Sequence, residues 1–368
     1  MDATKVLQDY VKNDFEHPNP AAGDVVHLVY PPRLNSVGVT IKTDADGTAL
    51  FTIVVPAAEM EEGLRDVGGA LVRSLGGDPL LPGALEDARR RLGDEAYAAR
   101  IGNMVRLYFL SVAMMRTGVF PFLSPTILAS GPVRPGNDYL YQARMLLRPR
   151  AELSDYGPLA VTLPTRPAVS EHDVDDRLSG MMGGDVPWDE VTERPGSSYA
   201  RTREQVRGRL ADEREASWAD AATKVCADRL AARLTSVPPT RHVELLRDEM
   251  ANSYAQGLVD NGTDWDAYVR SADYDEESFK ASMTQAALKS LREGMALDAM
   301  ADHVGLWVTE AEVMAAVTMM APGHEREALR AMLQTAQLPQ LCETTRRIKC
   351  GDYLREHVVE PAADETVA

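Results

Sequence analysis

The chain has 368 residues, 45% hydrophobic and 26% charged, which is ordinary globular composition and length enough for about two or three domains. Its net charge of −17 argues against a general binder of phosphate backbones, because affinity for nucleic acid comes largely from clustered lysine and arginine. The longest apolar run, 107–115, is interrupted by Ser111 and falls far short of the roughly 20 residues of a membrane span. The first residues lack the apolar core of a signal peptide, so a cytoplasmic protein is expected. Cys226, Cys342 and Cys350 are odd in number and form no C-x-x-C pair, which points to inert thiols in a reducing compartment.

Residues 1–36 read as an N-terminal extension, with a short helix around 4–13 followed by proline-directed turns. Two strands come next, 38–43 and 49–55, joined by the hairpin signal Asp44-Ala45-Asp46-Gly47. Met60, Leu64, Val67, Leu71 and Leu75 then recur at three- and four-residue spacing, which predicts an amphipathic helix over 57–75. A second helix is expected at 84–92. Between them, three glycines and two prolines in 76–83 cannot continue a helix, so Leu80 and Leu81 sit in a tip loop. Such leucines are either buried against a neighbour or a contact surface. A longer helix, 95–117, ends at Gly118, and extended segments follow at 120–127 and 139–147. The order β-β-α-α-α-β-β defines an α+β domain.

Another extended segment is expected at 159–163. Val169-Ser170-Glu171-His172-Asp173 opens a short helix with a Ser cap and Asp173 three residues on. Pro187, Pro195 and Gly196-Ser197-Ser198 mark a linker. Beyond it nearly everything is helical: 201–234, 240–260, 263–271, 275–303, a helix capped by Thr309 and Glu312 and stopped by Pro322-Gly323, then 325–337 and 341–358. The expected division is 1–36 extension, 37–165 α+β domain, 166–198 linker with a short helix, 199–359 all-α domain of long helices, and 360–368 disordered tail.

No residues mark a catalytic site, a cofactor or a metal. Gly68-Gly69 and Gly183-Gly184 lack the surroundings of a phosphate-binding loop. The seven histidines are scattered. Asp173, Asp175 and Asp176 read as a solvated acidic face, and Arg89-Arg90-Arg91 as exposed charge. The pairs Met114-Met115, Met181-Met182 and Met319-Met320 are either core or adaptable apolar surface.

Taken in order, several segments resemble the trigger factor family of bacterial chaperones. Val39-Thr40-Ile41 through Val54-Val55 is similar to the start of its N-terminal domain. Pro149-Arg150-Ala151-Glu152-Leu153 is similar to its P-x-x-E-L step, and Val169 to Asp175 to its V-T-D-x-D-V-D helix. Val237-Pro238-Pro239 and Val308 to Val313 resemble the entries to its C-terminal arms. The chain departs from the family in two places. Only about 183–198 stands where the family places a prolyl-isomerase domain of the FK506-binding type, too short for a folded domain. The family's ribosome-docking loop, G-F-R-x-G-K-x-P, corresponds to Gly76, Gly77, Asp78, Pro79, Leu80, Leu81 and Pro82. There Gly77 replaces the phenylalanine, Asp78 the arginine, and the lysine is lost.

The resemblance implies an ATP-independent holdase that binds unfolded or nascent chains in a helical cradle without isomerase activity. Ribosome docking is expected to be weak or absent. Client contact is expected at Met283, Leu291, Met295, Met314, Met319 and Met320. No cofactor, membrane or nucleic-acid specificity is expected, and homodimerisation would cover apolar faces on the arms. A dedicated protein-protein adaptor on the same scaffold is the other reading, and a prolyl isomerase a third.

Overall fold

The computed structural model describes residues 36–44, 46–117, 119, 121–128, 131–182, 198–262 and 275–360. The expected helices at 4–13 and 263–271, residues 183–197 of the linker, the Gly118 cap and most of the tail lie outside the described residues. The chain forms two contact units that do not follow its order. The first holds Met1–Arg150, Pro238–Thr284 and Ala301–Arg347, and the second Ala151–Val237, Gln285–Met300 and Ile348–Ala368.

In the first unit, β1 (Gly38–Thr43) and β2 (Thr48–Val55) form the expected hairpin, and Gly47 takes the positive φ of 79° that its turn requires. The sheet runs β1-β2-β4-β3, with β3 at Thr126–Ile127 and β4 at Tyr139–Leu146, all antiparallel. One face of β2 and β4 is buried through Phe51, Ile53, Val55, Tyr139, Tyr141 and Ala143, which is the period of two that alternation predicts. Helices α1 (Ala57–Ser74), α2 (Ala84–Leu92) and α3 (Asp94–Thr117) belong to the same unit. Met60, Val67 and Leu71 of α1 pack with Val105, Phe109 and Met114 of α3 in a core shared with the sheet. Gly63 permits close approach: a Cβ there would stand 2.6 Å from the Phe109 ring. Tyr141 donates its hydroxyl to the Arg106 carbonyl at 2.6 Å, fixing β4 to α3, and burial pushes that phenol well above its usual range.

The same core takes Val313, Val317, Leu338 and Cys342 from far along the chain. These lie on α8 (Glu310–Met320) and α10 (Leu338–Tyr353), with α9 (Glu325–Gln334) between them. Thr309 and Glu312 form the expected capping box. The sequence predicts one helix over 325–337 and a next beginning at 341. Instead α9 ends at Gln334 and α10 begins at Leu338. Ala336 adopts φ 57°, and Gln337 N–H reaches back to the Met332 carbonyl at 2.9 Å, so an alanine fills a left-handed cap that glycine usually supplies.

The second unit contains α4 (Glu171–Met182) and α5 (Ser198–Ala231). Val174 and Leu178 pack on Val206 and Leu210. Ser170 and Asp173 cap one another, Ser170 N–H donating to the carboxylate at 2.7 Å and Asp173 N–H to the Ser170 hydroxyl at 3.2 Å. Beyond α10 the helix loosens into a π-helical turn, Leu354–Val358. The chain then continues as β6 (Val359–Glu360), parallel to β5 (Leu159–Ala160). The helix thus reaches Val358 as expected, with its last turn π-helical instead of α, and Glu360 belongs to a strand instead of the tail. Helices α6 (Thr240–Asp260) and α7 (Glu276–His303) complete the described elements, and α7 supplies residues to both units.

Candidate polypeptide-contact surface

The loop between α1 and α2 is built by its glycines. Gly76 N–H donates to the Arg73 carbonyl at 2.9 Å and Gly77 N–H to that of Val72 at 3.0 Å, with Gly76 at φ 75°. This double bond closes α1 and turns the chain outward. The Asp78 carboxylate then accepts from Leu80 N–H at 2.9 Å, so the acidic group is occupied in shaping its own turn. Gly83, at φ 76°, starts α2. The result holds Leu80 88% exposed and Leu81 61% exposed. Of the two readings open from sequence, burial and contact, the leucines are not buried.

The Gly68-Gly69 pair on α1 has a packing role that sequence left unassigned. A Cβ at Gly68 would meet Leu85 of α2 at 2.8 Å, and one at Gly69 would meet Pro79 at 3.6 Å. The three arginines of α2 are exposed, as expected, and engaged locally. Arg89 pairs with Asp94 at 2.5 Å, Arg90 with Asp87, and Arg91 donates to the Leu75 carbonyl at 3.2 Å. The bond to Asp94 raises the Arg89 pKa further.

The six methionine and leucine positions expected to meet clients divide sharply. Met319 and Met320, at the end of α8, are 86% and 63% exposed. Met283 and Met314 are half-buried. Leu291 and Met295 are interior residues, 5% and 2% exposed, because the α7 stretch that carries them is buried on several sides: Ala287, Ala296, Leu297 and Met300 are buried with them. They are core, not contact surface. Acidic and histidine side chains follow the Met319-Met320 pair. Glu325 accepts from Gly323 N–H at 2.8 Å, which lowers its pKa, and His324 pairs with Glu327 at 3.2 Å.

No cluster of three metal-ligating side chains occurs among the described residues. Asp173, Asp175 and Asp176 face different partners: Arg214 at 2.6 Å, Arg203, and His172 at 3.5 Å. All three cysteines are buried thiols, none of them in a disulfide. Burial raises the Cys226 thiol, and burial together with the Glu343 charge pushes Cys342 up to about 12, so neither is a nucleophile at neutral pH. No helix among the described residues is long and apolar enough to cross a membrane.

The family model for the bacterial trigger factor protein C-terminus matches residues 198–356. That stretch, which is less than half of the chain, is similar to the C-terminal part of trigger factor. A solved structure from work on promiscuous substrate recognition in the folding and assembly activities of the trigger factor chaperone is similar at 12% identity. It covers 87% of this chain and 100% of that one, with a TM-score of 0.37. A likeness of that size adds no argument to the family match. No curated protein matches the chain. The matched region is the chaperone-like part of trigger factor and not its isomerase part, and the match over 198–356 supports a chaperone-like role for that region.

Proposed function

We propose that the chain is an ATP-independent holdase of trigger factor type, which binds unfolded or nascent polypeptides in the cytoplasm without catalysing proline isomerisation. The observation that carries this reading is the display of two apolar pairs, Leu80-Leu81 and Met319-Met320, on structured loop and helix ends. Burying one such side chain against a client is worth about 1.5–3 kcal/mol, so a pair supplies roughly 3–6 kcal/mol before ordering costs. That corresponds to a Kd between about 6 mM and about 40 μM before those costs, and weaker once they are subtracted. Holding a client therefore takes several contacts at once, each able to release, which suits a chaperone that must let go.

Ribosome docking is proposed to be weak or absent. The tip loop offers Asp78 and two leucines where the family carries cations, and the carboxylate is tied into its own turn. The leucines fit a protein contact better than a nucleic-acid one, and a second copy of the chain is a further candidate partner. Isomerase activity is not carried over, because about 183–198 leaves no length for that domain.

The deciding experiment is aggregation of a model unfolded protein with and without the chain. Suppression at stoichiometric ratio is expected, and its absence would overturn the holdase reading. The adaptor reading predicts instead that one protein dominates a pull-down, with no broad client set. Stable, salt-resistant co-sedimentation with ribosomes would show that the tip loop docks after all.

A further inference from the structure

The first unit contains one histidine with no role in chaperoning and an unusual seat. His242 lies in the first turn of α6, just after Pro238-Pro239, and its side chain is buried. Its Nε2 lies 2.8 Å from the Leu147 carbonyl. A carbonyl only accepts, so Nε2 carries the proton and Nδ1 presents a lone pair. Nδ1 is itself buried and meets no hydrogen-bond partner among the described residues. The Phe122 ring stands edge-on at 4.8 Å, and Gly47 of the β1–β2 turn closes the other side.

We infer that His242 is an acid-sensitive latch, fastening the start of α6 to the end of β4 while neutral and releasing it when protonated. Protonation would place a second N–H donor and a full charge in a pocket that offers an acceptor to only one nitrogen. The charged groups around it do not repair this. From the β1–β2 turn, Asp46 is the nearest anion, but its carboxylate already accepts from Thr48 N–H and hydroxyl at 2.9 and 3.0 Å and pairs with Arg241. On α6 itself, the neighbouring Arg241 is a cation and opposes a second one. From the end of β4, Arg148 is also a cation and is taken by Glu343. From the segment after α3, the Phe122 ring is the contact among the described residues. Consistently, burial holds the His242 pKa below the ordinary 6.5, with Arg241 lowering it further and the Leu147 bond and Asp46 opposing. The sign follows: the unfolded state takes up this proton first, so the contribution of His242 is present above about pH 6.5 and is lost as pH falls through its depressed value.

The test is hydrogen exchange of the full chain at pH 7.5 and pH 5, corrected for intrinsic exchange rates. In the parent protein, amides in the first turns of α6 should lose protection by about tenfold for each unit by which the folded pKa lies below 6.5. His242→Gln keeps an N–H donor for Leu147 and cannot be protonated, so it should keep that protection at both pH values. Equal acid loss in His242→Gln would overturn the latch. A proton NMR titration of the His242 ring in the parent chain decides independently of whether the variant folds. A midpoint at or above 6.5 would also overturn it.

Discussion

Arg148, just past β4, pairs with Glu343 on α10, and both side chains are largely shielded from water. The pair joins the sheet to a helix that begins nearly two hundred residues later. Removing one partner of a shielded pair leaves a desolvated charge, which costs more than the pair itself contributes. Glu343→Ala should therefore lower unfolding free energy by roughly 2–4 kcal/mol. The double replacement Arg148→Met, Glu343→Leu should recover most of that loss, and denaturant melts of the three variants measure both.

Surface and core apolar residues separate by mutation. Leu80→Ser with Leu81→Ser should leave stability within about 0.5 kcal/mol, since exposed side chains carry little folding energy. The same variant should suppress aggregation less well, and Met319→Ser with Met320→Ser should behave alike. Met295→Ala should do the reverse: a loss of about 2–4 kcal/mol in a thermal or urea melt, from a cavity in the interior.

The close crossing of α1 and α3 rests on a missing side chain. Gly63→Ala would set a methyl group within 2.6 Å of the Phe109 ring. The ring must shift, and an overpacked core typically costs about 1–3 kcal/mol. If the melting midpoint of Gly63→Ala equals that of the parent, the crossing is looser than described.

Ala336 is the opposite case. A non-glycine residue at φ 57° pays roughly 1–2 kcal/mol for its left-handed backbone. Ala336→Gly removes that strain and adds chain entropy to the unfolded state, so a net gain of about 0.5 kcal/mol is expected in equilibrium unfolding.

The seam between α4 and α5 should respond to acid and salt. Glu171 accepts from Arg203 and Arg207, at 2.7 and 2.6 Å, and both contacts hold its carboxyl below the ordinary range. Asp173 is lowered further, chiefly by Arg214 and then by Ser170. A depressed carboxyl contributes stability above its unfolded pKa and loses it as pH falls through the folded value. Protection of α4 amides should thus decline below about pH 4, and at neutral pH 1 M salt should weaken it. These groups are exposed, so the effect is small. Unchanged protection in Asp173→Asn would remove the cap from the explanation.

The elements that sequence predicts best are those whose causes lie within a few residues. Alternation in β2 and β4, the caps at Ser170 and Thr309, and the glycine-proline break after Leu75 are all local. What escapes is set by distant partners. The pairing of β5 with β6 has no sequence signature, since two residues of extended chain look like any loop. Leu291 and Met295 continue a helical stripe from Phe279 and Met283, which are only half-buried, so periodicity reveals a face without saying how far it is covered. Neither the seat of His242 nor the pairing of Arg148 with Glu343 follows from spacing. For the tip loop, sequence supplied the glycines and the leucines, and their exposure excludes burial, leaving contact as the proposed reading.

The core that admits Val313, Val317, Leu338 and Cys342 has a consequence for how this chain is handled. Residues 198–356 are a unit of descent, the stretch that a family shares. They are not a unit of folding, because these four side chains pack against Phe109 and its neighbours far outside that stretch. A fragment cut at residue 198 would bare an aliphatic surface that the intact chain buries. It would then behave as a client of the very activity proposed for the whole.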